Sequence, residues 1–121
     1  MIRTHGLTHL ALAVRDPDRS LHFYERVFGV REYYRDGDSI QVLGPGGHDV
    51  IAFERDPKRA GAPGGIAHFG FRLLDPRDIE AAAREVEAAG GTVVRRGTFA
   101  PGEPFLFATD PDGYTVEIWF E

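Results

Sequence analysis

The sequence predicts an α+β protein built from two βαβββ modules, and three observations carry that reading. Thr8-His9-Leu10-Ala11-Leu12 and Ala67-His68-Phe69-Gly70-Phe71 each read as a strand bearing one histidine. Each runs on to an Asp-Pro pair, Asp16-Pro17 and Asp75-Pro76, and both landmarks are displaced by the same 59 residues. Behind each pair come an amphipathic helical stretch and three short strand-like segments divided by turn residues. An internal repeat of this kind constrains the architecture as a whole.

The elements follow in order. Residues 7–14 alternate only partly and are small or apolar, as in a strand with both faces largely covered. Asp16 is a good N-cap, and Pro17 suits the first helical position, where its missing N–H is not needed. Leu21, Tyr24, Val27 and Phe28 recur at helical spacing, and Gly29 is a fitting stop. Residues 30–35, 39–43 and 49–54 read as strands, separated by Asp36-Gly37-Asp38 and Gly44-Pro45-Gly46-Gly47. The polar stretch RDPKRAGAPGG, residues 55–65, separates the halves. The second half opens with a strand at 66–74. Its Asp75-capped helix carries Ile79, Ala82, Ala83 and Val86 on one face and ends at Gly90-Gly91. Strands at 92–96, 105–109 and 114–120 complete it, with Asp110-Pro111-Asp112-Gly113 marking the last turn. The expected organisation is one domain over residues 1–121, with module one at 5–55, a linker at 56–64 and module two at 65–121. A four-stranded half with one helix cannot bury both faces of its sheet, so the halves are expected to pack together, or with a second chain.

Composition narrows the function. A chain of 121 residues with 42% apolar side chains is long enough for a real core. The net charge is −5, and no basic run interleaves with aromatics, so nucleic acid is not an expected partner. Arg95-Arg96 reads as a pair on a solvated strand edge. No apolar run approaches the roughly 20 residues of a membrane helix, and the first residues lack an apolar signal core. Without cysteine there is neither a disulfide framework nor a thiolate zinc site. A cytoplasmic protein with no membrane partner is the expectation.

Strand parity then gathers candidate metal ligands. Side chains at i and i+2 share a face, so His9 projects with Ala11 and Ala13, His68 with Gly70 and Arg72, and Glu117 with Thr115 and Trp119. In a structural repeat, His9 and His68 are pseudo-equivalent. Matching Val50-Ile51-Ala52-Phe53 with Thr115-Val116-Glu117-Ile118 sets Ala52 against Glu117. His9, His68 and Glu117 are therefore candidates for a two-histidine, one-carboxylate set whose fourth symmetric position is a methyl group, hydrogen-bonded core or rim histidines being the alternative. Such a set leaves coordination positions open on a divalent ion (iron, manganese, zinc or nickel). An unpaired carboxylate in an apolar strand is otherwise costly to bury. Glu54 shares parity with Ala52 and is a candidate base, a strand-end salt bridge being the alternative. Arg72 is a candidate holder of an anionic substrate group, unless it simply reaches solvent. Tyr33, Tyr34 and Tyr114 are candidate proton donors, with packing as the competing role. The other histidines read as ordinary: His5 lies too far along an extended strand from His9 to share an ion with it, His22 falls off the apolar face of its helix into solvent, and His48 sits beside a glycine turn.

The opening THLALAV, the DPDRSLHFYERVFGV helix, the IAHFGF strand and the closing DPDGYTVEIWF together resemble the vicinal oxygen chelate superfamily. That superfamily groups glyoxalase I, extradiol dioxygenases, fosfomycin-resistance proteins, methylmalonyl-CoA epimerases and metal-free bleomycin-binding proteins. The resemblance covers essentially the whole chain. It implies βαβββ modules forming open, barrel-like mixed sheets around a metal, and a homodimer in which a first-strand ligand of one subunit joins ligands of the other. His9, His68 and Glu117 match the family's ligand positions. Glyoxalase I and the epimerases place a fourth ligand where this chain has Ala52. The fosfomycin enzymes add basic residues near the C-terminus, and the extradiol enzymes are generally longer; neither feature is present here. The implied function is metal-dependent lyase, transferase or dioxygenase chemistry on a small oxygen-chelating substrate. The alternative is a metal-free protein that sequesters a small molecule or antibiotic, as bleomycin-resistance proteins do, in a dimer cleft lined by Trp119 and Phe107.

Overall fold

The computed structural model describes residues 1–121. Its elements are β1 (His9–Val14), α1 (Pro17–Phe28), β2 (Arg31–Asp36), β3 (Ser39–Leu43), β4 (Val50–Arg55), β5 (Phe69–Arg72), a 3-10 turn (Pro76–Asp78), α2 (Ile79–Ala88), β6 (Thr92–Thr98), β7 (Pro104–Thr109) and β8 (Thr115–Trp119). They form two mixed four-stranded sheets, ordered β1-β4-β3-β2 and β5-β8-β7-β6. In each sheet the first strand pairs in parallel with the last, and the remaining pairs are antiparallel. Neither sheet closes into a barrel, so β1, β2, β5 and β6 are all edges. No helix is long and apolar enough to cross a membrane.

The repeat is exact in register. Leu10 pairs with Ile51 and Ala11 with Ala52, while their counterparts Phe69 and Gly70 pair with Val116 and Glu117. Even the irregularities repeat: a bulge between Glu32 and Tyr34 in β2 has its copy between Val93 and Arg95 in β6. Each inserts one residue and re-aims the side chains beyond it.

The two Asp-Pro helix starts behave differently. Asp16 is extended and accepts the Asp18 and Arg19 N–H groups, and Ser20 N–H closes a full α-turn onto its carbonyl at 3.1 Å. Asp75 accepts the Arg77 N–H, but Asp78 N–H bonds back only three residues, at 3.1 Å. The expected α-helix start at Asp75 is thus a 3-10 turn. Asp78 already has helical angles, and α2 continues from it at Ile79 without a side-chain cap. At the far end of α1, Gly29 adopts φ 66° and its N–H bonds Glu25 O at 3.0 Å, the left-handed ending that glycine permits without strain.

One core spans both modules. Leu12 and Val14, Phe23 and Tyr24, Ile40, Val42 and Phe53 come from the first; Ala83, Val86, Leu106, Ala108 and Ile118 from the second. Phe23 was absent from the expected apolar stripe, which favoured Leu21 and Val27, yet it is more deeply buried than either. Its ring meets Tyr24 edge-on at 5.1 Å, while Phe28 stacks on Phe71 of the other module at 3.7 Å.

The last turn joins the halves with charge. Asp110 Oδ1 accepts the N–H groups of Asp112, Gly113 and Tyr114 at 2.9–3.0 Å, and its Oδ2 accepts the Tyr24 hydroxyl at 2.9 Å. Asp112, with no side-chain exposure, accepts the Arg15 backbone N–H at 3.1 Å and the guanidinium groups of Arg15 and Arg19 at 3.0 and 2.9 Å. Ser20 donates to its other oxygen at 3.4 Å. Burial pushes the Asp110 carboxyl above its ordinary value, against the lowering effect of the donated hydrogen bonds. Burial first, then the adjacent Asp110 charge, likewise pushes the Tyr24 phenol well up.

Two outcomes follow for stability. Asp112→Ala removes a buried acceptor and leaves two half-exposed arginines without their partner, so chemical denaturation should show a loss of about 2–3 kcal/mol. Asp110→Asn keeps an oxygen for the three N–H donors and should stay within about 1 kcal/mol of wild type near neutrality. Because the folded Asp110 pKa is raised, its contribution is fully present below the unfolded value near 3.8 and is lost as pH rises through the folded value. The wild type should therefore lose stability relative to Asp110→Asn as pH rises across that window. A constant difference would contradict the burial assignment.

Candidate metal centre

Residues paired directly across strands project to the same side of a sheet. Leu12, Phe53 and Ile40 form one such row, and Phe71, Ile118 and Leu106 form its copy; both face the core. The alternate rows face away from it. In module one this outward row is Ala11-Ala52-Gln41-Tyr34, and in module two it is Gly70-Glu117-Phe107-Arg95.

On the outward face of module two, His68 Nε2 lies 3.2 Å from Glu117 Oε2, with side-chain exposures of 40% and 14%. Glu117 is thus a mostly covered carboxylate flanked in β8 by buried Val116 and Ile118. His68 stands just before β5, because that strand begins at Phe69 and is shorter than the expected 66–74. Phe107 meets the imidazole edge-on, with ring centroids 5.0 Å apart. Opposite Glu117, Gly70 keeps the surface low: a Cβ there would stand 3.2 Å from Trp119 Nε1.

The donor chemistry suits a divalent ion. An imidazole nitrogen and a carboxylate oxygen bound to one metal at about 2.0–2.2 Å lie about 3 Å apart, which is the separation seen. His9 opens β1 at the equivalent place, exposed, with Val50 opposite it. Within one chain no three His, Cys, Asp or Glu side chains are close enough to hold an ion. The structure therefore brings His68 and Glu117 together and leaves His9 on the other module's sheet.

The secondary candidates separate clearly. Glu54 is exposed, faces outward opposite Ala13, and forms no ion pair. Arg72 donates to the Glu121 carbonyl and lies over Trp119 at 5.7 Å. Tyr114 is not available as a proton donor: its hydroxyl donates to the Ala13 carbonyl at 2.7 Å, and burial pushes its pKa up. Tyr33 donates to Gln41 Oε1 at 2.6 Å on the outward face of module one, and Tyr34 is exposed. His5, His22 and His48 are exposed.

A cavity of about 700 Å³ lies between the modules, walled by Leu10 and Ala13, by Arg59 and Pro63 of the connecting segment, and by Ile66 and His68. The segment expected as a plain linker therefore forms part of a wall. Gly61 in it adopts φ +78° and sits so close to the Asp112 carbonyl that a Cβ would fall at 2.3 Å. Sequence reasoning missed this contact and the Asp112–Arg15–Arg19 cluster. The DPDG signal was legible as a turn and as part of the closing motif, but its partners lie more than 90 residues away.

Residues 6–118 match the Glyoxalase/Bleomycin resistance protein/Dioxygenase superfamily. The chain belongs to that superfamily. Among relatives within it, a lactoylglutathione lyase of Haemophilus influenzae is 33% identical, covering 93% of this chain and 90% of the relative. A catechol-2,3-dioxygenase of Bacillus subtilis is 28% identical over 98% of this chain, which spans only 44% of that longer protein. The fold is shared with the fosfomycin resistance protein FosX of Listeria monocytogenes at a TM-score of 0.82 and 18% identity, covering 98% and 95% of the two chains.

Tyr114→Phe tests the structural assignment of that hydroxyl. Losing the bond to Ala13 should lower stability by about 1 kcal/mol while leaving binding of divalent ions, measured by titration, unchanged. Loss of ion binding without loss of stability would return Tyr114 to the site.

Proposed function

We propose that the protein is a metal-dependent enzyme acting on a small oxygen-chelating molecule, with its centre formed between two copies of the chain. His68 and Glu117 of one subunit and His9 of the partner subunit would hold the ion. The observation that carries this reading is the 3.2 Å His68–Glu117 pair on the outward face of one module. The matching face of the other module presents His9 beside Ala52, and no third ligand exists within the chain. His9 and His68 are both exposed on these faces in a single chain, and a two-fold dimer would bring the two faces against each other.

A bound divalent ion would act as a Lewis acid toward adjacent oxygens of the substrate. The chain's own residues do the rest. Glu117 brings the single negative charge of the set, so the ligands leave net positive charge for an anionic or ionisable oxygen. Phe107 fixes the imidazole plane by its edge-on contact. Ala52 supplies no donor where Glu117 has its counterpart, which keeps positions open for substrate oxygens. Dioxygenase chemistry, the activity for which the Bacillus relative is named, suits such open positions better than the lyase chemistry of the Haemophilus relative, whose class fills the place of Ala52 with a fourth ligand.

Metal analysis of untagged protein exposed to manganese, iron, zinc and nickel should give close to one ion per subunit. Less than about 0.1 would overturn the reading in favour of a metal-free binding protein. His68→Ala should abolish uptake without unfolding the chain. Purified mixed dimers of His9→Ala with Glu117→Ala provide the sharper measurement. A shared centre retains one intact site per dimer, whereas a centre built within each chain retains none.

A further inference from the structure

We infer that the substrate of this centre is an aromatic carboxylate, bound through Arg95; the inference rests on the metal-centre reading above. Adjacent arginines in β6 have opposite fates. Arg96 turns to α2 and meets both carboxylate oxygens of Glu80 at 2.9–3.0 Å. Arg95 belongs to the outward row Gly70-Glu117-Phe107-Arg95 and has no carboxylate partner. Its guanidinium lies instead over Phe105 and Phe107, at 5.5 and 5.8 Å from the ring centroids.

This arrangement is held from beneath. Gly97 is the residue on which the Phe105 ring rests: a Cβ there would come within 2.5 Å of the ring. Phe105 in turn meets Phe107 edge-on at 5.7 Å, and Phe107 meets His68. A continuous aromatic wall therefore runs from the guanidinium to the candidate ligand pair. Arg95 and Glu117 lie two strands apart, about 10 Å between backbones, and the arginine leans back along that gap.

The chemistry of such a place is specific. A guanidinium placed over aromatic rings keeps its charge and offers its planar fork to a planar carboxylate. The wall supplies a face for an aromatic ring. In a chain of net charge −5, an arginine without a counter-ion beside a cation-binding pair marks a local anion site. A ring bearing two vicinal oxygens at one end and a carboxylate at the other matches both ends.

The test compares 3,4-dihydroxybenzoate with 4-methylcatechol, which replaces the carboxylate by a methyl group, in anaerobic isothermal titrations of manganese-loaded protein. Wild type should bind the carboxylate at least tenfold more tightly. Arg95→Met, which keeps the apolar stem on the rings, should erase that preference and leave 4-methylcatechol unchanged, and Arg95→Lys should retain part of it. Equal binding of both compounds by wild type, binding of neither, or an undiminished preference in Arg95→Met would overturn the inference. Repeating the titration without metal and on His68→Ala separates it from the metal reading. Ion uptake without carboxylate preference sinks the subsite alone. An Arg95-dependent preference in protein that takes up no ion supports the subsite and sinks the metal centre.

Discussion

The structure hangs on two carboxylates in one four-residue turn. Asp112 is fully covered at its side chain, and its charge is tolerated because Arg15, Arg19 and Ser20 converge on it. Those partners lie at the β1–α1 junction of the first module, whereas the turn belongs to the second. Separating the modules would break all of these charge-assisted hydrogen bonds at once, a directional constraint that apolar contact alone would not impose. Asp110 secures the turn itself by accepting three backbone N–H groups and the Tyr24 hydroxyl. Tyr114 and Gly61 extend the same clamp, one to the Ala13 carbonyl and the other to the Asp112 carbonyl. Because β8 leaves directly from this turn, the position of Glu117 relative to β1 is set by it.

Both modules have the same strand pairing, down to the bulged second strand, and they differ on the outward rows. His9 corresponds to His68, Ala52 to Glu117, Gln41 to Phe107 and Tyr34 to Arg95. Module two carries the covered carboxylate, the imidazole and an aromatic wall. Module one carries a lone histidine and a neutral Tyr33–Gln41 pair. Core-facing rows stayed apolar in both because they share one interior and tolerate little change in volume or polarity. Outward rows had no such constraint, and there the symmetry breaks.

Much of this was legible in the chain itself. The succession of strands and helices, the start and glycine stop of α1, and the equivalence of Ala52 with Glu117 all follow from local signals, a shared 59-residue offset at the start of each half and the matching pattern of their last strands. Local rules fell short where an alternative geometry obeyed them equally well. An Asp-Pro pair can open an α-turn or a 3-10 turn, and the choice at Asp75 depended on the angles of Asp78 downstream. Strand 66–74 shortened to Phe69–Arg72, which moved His68 to the strand's threshold without breaking its approach to Glu117. The detailed contacts of Tyr114 and Arg95 were beyond local reading for a related reason. A tyrosine beside a turn and an arginine on an edge strand have roles set by what stands across from them.

The sequence by itself determined the two-module α+β fold, membership of the repeat for every strand, and the residue types available for a metal centre. Those properties depend on periodicity, caps and offsets, which are contained in short stretches of chain. Only the tertiary structure decided which of those residues meet. It paired His68 with Glu117, left His9 on a separate sheet, engaged Tyr114 with a backbone carbonyl and laid Arg95 across two phenylalanines. Each outcome depends on cross-strand register and on a clamp between residues more than 90 positions apart, distances over which local sequence carries no information.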